Sequence, residues 1–219
     1  MADRRKPQLA PGPAHTKGQP NDDFTLPAAM YYDAIHHYKA AHSADAVNDS
    51  GACDRYKRAA ILAAFVFFEA QLNQIAFAYA QAHESVLGQI EKDVLEEMET
   101  VIEDRGDILR KSKFYRTESR FAFLVLFLSG KDFDRSGQLW SRFLSARNLR
   151  DQWTHPKPPF DTGSLSLKGV HSIIEVVHDM FIMLATMMSA NAPLWLRPVD
   201  EVIGHLGNAV AQIQAEKNN

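Results

Sequence analysis

Residues 144–159 read LSARNLRDQWTHPKPP, and they gather chemically capable side chains just before a break. Arg147, Asn148, Arg150, Asp151 and His155 fall within nine positions, and prolines at 156, 158 and 159 stop a helix there. Arg150 offers a planar fork of donors that matches phosphate oxygens. His155 gives or takes a proton near neutral pH. Residues 150 and 154 share a helix face, and His155 lies one step further, where Pro156 disfavours helical geometry. An imidazole at that point can swing beside the guanidinium. A cation next to an imidazole lowers its pKa, and a carboxylate such as Asp151 raises it. A charge stabiliser and a proton shuttle around a phosphodiester form a minimal RNA-cleaving set. RNA carries its own nucleophile, the 2′-hydroxyl, so the set needs neither metal nor cofactor. The same residues also suit a plain helix end, where cations complement the dipole and a histidine before proline closes the turn.

The elements that would position these residues are helical almost throughout. Residues 54–83 hold no Gly or Pro, and Ile61, Phe65, Phe68, Leu72, Ile75 and Tyr79 recur at three- and four-residue steps. That segment is apolar nearly all round, which predicts the central helix of a bundle. Phe67 and Phe68 cannot face one core together, so a second subunit or neighbouring helices must cover a second face. An earlier helix is predicted from about Pro27 to Ala44, with Tyr31, Ile35 and Tyr38 on its apolar face. Val86, Ile90, Val94, Leu95, Met98 and Ile102 predict a helix over 86–105, followed by a basic connector at 110–116. Further helices are expected from Thr117 to a stop at Ser129-Gly130, from 136 to 153, and from about Ser166 to Ser189. A last amphipathic helix over about 199–217 presents Val202, Ile203, Leu206, Val210 and Ile213. No strand and no internal repeat is expected. The fold class is therefore all-α, a bundle of about five to seven helices.

Bulk properties bound the reading. The 219 residues suit one domain over 24–219 preceded by a flexible tail over 1–23, and 46% of them are apolar. A formal charge of −3 excludes a uniformly basic nucleic-acid coat but not a local basic patch. Cys53 is the sole cysteine, which points to a reducing compartment. The first 27 residues lack the apolar stretch of a secretory signal, and Glu175, His178 and Asp179 interrupt the longest apolar segment. A cytoplasmic protein without membrane association is expected.

Other residues carry competing readings. Glu69 and Asn73 lie one turn apart on the most apolar helix. A carboxylate there needs a partner, either Arg147 or Arg150 at the site, or a neighbouring helix at the rim. Arg110, Lys111, Lys113, Arg116 and Arg120 could grip an RNA backbone, or simply balance the acidic segment before them. His171, Glu175 and His178 share one helix face, and Glu175-x-x-His178 matches half of a di-iron element whose second half is missing. Asp33 and His37 form a lesser pair at the same kind of spacing. These histidines otherwise serve a core or an interface.

The stretch 147-RNLRDQWTH-155, late in a helical chain, resembles the Arg-polar-xxx-His signature of the HEPN superfamily, with Asp151 where Asn is more frequent. The helix bearing 68-FEAQLNQIA-76 is similar to the earlier core helix of that family, and 166-SLKGVHSIIEVVHDMFIML-184 to its closing helix. The likeness covers roughly residues 54–190. It implies a helical bundle that dimerises about the motif and acts as a metal-independent endoribonuclease, often a toxin or antiviral effector; an antitoxin or another neighbouring protein would be its partner. By the same likeness Arg150 would stabilise the phosphorane, His155 would act as acid or base, and Asp151 would orient them; Arg147-Asn148 offers an alternative register, with seven residues between Arg147 and His155. Some members keep the fold without cleavage and bind nucleotide or protein instead.

Overall fold

The computed structural model describes residues 26–102, 108–154, 165–187 and 200–201. The tail read over 1–23 and nearly all of the helix read over 199–217 lie outside them. The described elements run α1 (Leu26–Ala46), α2 (Ser50–Ala82), α3 (Gln89–Leu95), β1 (Met98–Ile102), β2 (Ile108–Ser112), α4 (Thr117–Ser129), α5 (Gln138–Thr154) and α6 (Leu167–Met187). The all-α bundle expected from the sequence is what forms, with one two-stranded hairpin added at its side.

Helix α2 is the axis. Asn48 takes a left-handed φ of 57°, which turns the chain sharply out of α1, and the Asp49 side chain caps α2 by accepting from the Ala52 amide at 2.9 Å. Phe67 and Phe68 are both fully buried, on different faces of the helix. Phe67 meets Tyr31 of α1 and Phe181 of α6, while Phe68 meets Phe121 of α4 and Phe143 of α5. Neighbouring helices of the same chain thus cover both faces. α1 buries Tyr31, Ala34, Ile35, Tyr38 and Ala41 along one stripe, and α6 buries Val170, Ile174, Val177, Phe181 and Leu184. By hydropathy, α2 and α6 are each long and apolar enough to cross a bilayer, and 56% and 50% of those windows are buried inside the fold. Helix α4 stops at Gly130, whose φ of 66° lets its amide donate to the Leu126 carbonyl at 2.8 Å.

The hairpin corrects the reading of 86–105 as one helix. α3 ends at Leu95, and Glu97 takes a left-handed φ of 53° that breaks the helix before β1. β1 and β2 pair antiparallel, with Thr100 opposite Arg110 and Ile102 opposite Ile108. Asp93 holds the unit together from α3. Its buried carboxylate accepts from Gln89 at 2.7 Å, from Thr100 at 2.9 Å and from Arg110 at 2.9 Å. A continuous helix would carry Asp93 away from both strands. Val86, Ile90 and Ile102, read as part of a core face, are exposed.

Candidate functional site

A groove of about 540 Å³ opens where α2, α4 and α5 meet, and Phe114, Arg116, Thr117, Glu118, Arg147, Arg150, Asp151 and Thr154 lie along it. Leu62, Phe65, Val66 and Glu69 of α2 form its other wall. The geometry follows from helix spacing. Phe143 and Ala146 of α5 are buried, so Arg147, Arg150 and Asp151 emerge on the flank beside them, one turn apart. On α2, Phe65 is buried and Glu69 follows one turn later, at the edge of the same contact.

All three guanidinium nitrogens of Arg150 have carboxylate partners. Its Nη1 donates to Glu69 Oε1 at 2.9 Å, and its Nε and Nη2 reach Asp151 Oδ1 at 2.9 Å. Its guanidinium lies 4.9 Å from the centre of the Phe65 ring, a cation–π contact. Thr117, the first residue of α4, donates to the same Glu69 oxygen at 3.3 Å. Arg147 pairs with Glu118 of α4 through Nη1, and its Nη2 donates to Asn148 Oδ1 at 3.1 Å. Asp151 Oδ2 stands 3.5 Å from Arg147 Nε, so this carboxylate lies between the two arginines. Arg116, Arg147 and Arg150 in the groove are matched by Glu69, Glu118 and Asp151.

His155 lies outside the described residues. α5 ends at Thr154, which lines the groove, and His155 is joined to it by one peptide bond. Asn73, one turn beyond Glu69, serves a different junction: it accepts from Arg120 Nη1. Arg120 is buried, also donates to the Leu95 carbonyl at 3.1 Å and pairs with Glu97 at 3.0 Å. Burial holds its pKa below the ordinary value, with Glu97 and Glu69 pulling the other way. Arg120 is therefore a structural cation and does not face solvent.

The rest of the basic set is spread over β2 and the segment between it and α4. Arg110 sits between Asp93 and Glu96, both at 2.9 Å. Lys113 pairs with Glu99 at 2.9 Å and lies over the Tyr115 ring, and Lys111 is exposed on β2. Only Arg116 of these four lines the groove. His171 contacts Glu175 at 3.5 Å and Asp200 at 3.1 Å, whereas His178 stacks on Tyr31 and approaches Asp179 at 3.4 Å. Among the described residues, no three His, Cys, Asp or Glu side chains converge as a metal ion requires.

Sequence reasoning missed Thr117 and Glu118. Both precede the buried Phe121 by one turn, so the apolar spacing of α4 already put them at the rim of its packed face. What spacing did not reveal was that α4 meets α5 there. Comparison with protein-family models, with curated proteins and with solved structures finds nothing that matches this chain.

Proposed function

We propose that this chain is a metal-independent endoribonuclease of the HEPN type, cytoplasmic, homodimeric and acting as a toxin or antiviral effector. The observation that carries the reading is the docking of Arg150 onto Glu69 and Phe65 in an open groove whose last residue on α5 immediately precedes His155. In that role the Arg150 guanidinium neutralises charge on the phosphorane as the RNA 2′-oxygen attacks phosphorus and the 5′-oxygen leaves. His155 moves a proton to or from those oxygens. Asp151, tied to both arginines, orients them without presenting a free charge to the phosphate. Exposed apolar side chains on the rim support pairing of two copies about the groove: Phe114 is 84% exposed, Val66 47% and Leu62 39%.

One observation favours the protein-binding form of a second reading, a non-catalytic module that binds nucleotide or protein. The groove's three arginines are balanced by three carboxylates, so its field does not by itself draw in a polyanion. Incubating the full chain with RNA in EDTA separates the two. Cleavage that survives EDTA and disappears in both Arg150→Ala and His155→Ala supports the nuclease. Binding of RNA or nucleotide without turnover replaces it with the binding module. A light-scattering mass that stays dimeric in Val66→Glu and Phe114→Glu argues against pairing through the rim.

A further inference from the structure

The groove's two central arginines are not held alike. Arg150 has Nε, Nη1 and Nη2 all engaged. Arg147 pairs with Glu118, while its Nε is buried with no hydrogen-bond partner, 3.5 Å from Asp151 Oδ2, and its Nη2 turns to the exposed neighbour Asn148. Glu118 is only 14% exposed and sits in the first turn of α4, where the helix dipole favours a negative charge. Glu69, by contrast, is 42% exposed and shares its cation with Asp151. Each in-plane edge of a guanidinium takes one oxyanion at a time. A carboxylate already on an edge must leave before a phosphate can take that edge.

We infer that Glu118 is a built-in competitor for Arg147, and that a phosphodiester of single-stranded RNA enters the groove by displacing it. The inference rests on the reading of the groove as an RNA site. Arg147 then becomes a second phosphate ligand beside Arg150, one helical turn away on α5, and Glu118 sets how tightly RNA is held. Removing the Glu118 charge frees a donor-rich cation that is already positioned. Removing a carboxylate outside the groove only shifts the net charge.

The experiment uses the full chain and a fluorescent single-stranded RNA carrying 2′-O-methyl groups, which binds without supplying a nucleophile. Anisotropy titrations compare the wild type with Glu118→Gln, Arg147→Ala, the double variant, and Asp45→Asn as an exposed control on α1. Glu118→Gln is expected to tighten binding about tenfold, the scale of one charge-assisted contact. The slope of log K against log salt should steepen by about 0.7, one added phosphate contact on a single strand. Asp45→Asn should change affinity less than about twofold. The gain should vanish in Glu118→Gln/Arg147→Ala. Glu118→Asp, which keeps the charge on a shorter arm and protects against a folding failure of the first variant, should lie between. Equal or weaker binding by both Glu118 variants, a gain that survives without Arg147, or no binding by any variant overturns the inference. Unmodified RNA run in parallel keeps the readings apart. Cleavage by the wild type without Glu118→Gln tightening sinks this inference alone, and tightening through Arg147 without cleavage sinks the nuclease reading alone.

Discussion

Replacing Arg120 with alanine tests the packing that sets α2, α4 and the hairpin against one another. The side chain is 7% exposed and reaches three elements: Asn73 on α2, the Leu95 carbonyl at the end of α3, and Glu97 at the start of the hairpin. Deleting one member of a fully buried ion pair costs about 3–5 kcal/mol, because the other charge is left without compensation. Here Glu97 is 30% exposed and Asn73 lies at the surface, so both recover water. The Leu95 carbonyl loses its side-chain donor, at about 1–3 kcal/mol for a stranded acceptor, and the stem leaves a void. The expected loss is about 2–4 kcal/mol. For a chain of 219 residues that is roughly 5–15 °C in Tm. Urea melts followed by circular dichroism give the free energy, and Arg120→Met, which restores the stem volume but not the donors, separates packing from polar loss. If Arg120→Ala unfolds within about 0.5 kcal/mol of the wild type, the network does not hold these elements and the reasoning is wrong.

Asp93 supplies a pH test. Burial pushes its carboxyl up, but hydrogen bonds from Gln89, Thr100 and Arg110 outweigh that and hold it below the usual carboxylate value. A carboxyl lowered by folding stabilises above its unfolded pKa of about 3.9, and that contribution is lost as pH falls through the folded value. The stability gap between wild type and Asp93→Asn should be full at neutral pH and close under acid conditions; urea melts showing a gap independent of pH would contradict it. His37 behaves in the opposite sense: burial and the neighbouring His36 lower its pKa, against a smaller upward pull from Asp33. The unfolded chain then binds the proton first, so the wild type should lose stability as pH drops through about 6.5 and His37→Gln should lose less, read by thermal melts across that range. Gly130→Ala should cost about 1 kcal/mol in a urea melt, since a Cβ there meets nothing within 4 Å and the left-handed φ alone opposes it.

The helices that bury a continuous stripe were legible from spacing. α2 and α6 follow their apolar periodicity, and the stop of α4 at Gly130 follows from residue type. The hairpin was not, because Val94, Leu95, Met98 and Ile102 also fit a helical period. The deciding signal was local: Thr100, Val101 and Ile102 are β-branched, Gly106 follows, and Ile108-Leu109 resumes the apolar run. Tertiary contacts through Asp93 then favour the strands. At the site, helix spacing put Arg147, Arg150 and Asp151 on one flank of α5. Of the two candidate partners for Glu69 it could not choose between Arg147 and Arg150. The choice depends on how α2 crosses α5, a relation between residues 81 apart in sequence.

The carboxylates that balance the groove bear directly on how it would act on RNA. A guanidinium bound equally well to substrate and transition state accelerates nothing, since only interactions that strengthen along the reaction lower the barrier. A phosphodiester carries one negative charge, and the phosphorane formed by 2′-oxygen attack carries more. A carboxylate on Arg150 or Arg147 competes well against the first and poorly against the second. On the proposed nuclease reading, Glu69 and Glu118 would weaken ground-state binding more than transition-state binding, while fixing the planes of both guanidiniums in advance. The same pairing that makes the groove look unattractive to a polyanion at rest is consistent with selective stabilisation of the charge that develops during cleavage. A purely binding groove has no use for that difference, so Glu69→Gln should raise RNA affinity in either case but lower turnover only if Arg150 acts on the phosphorane.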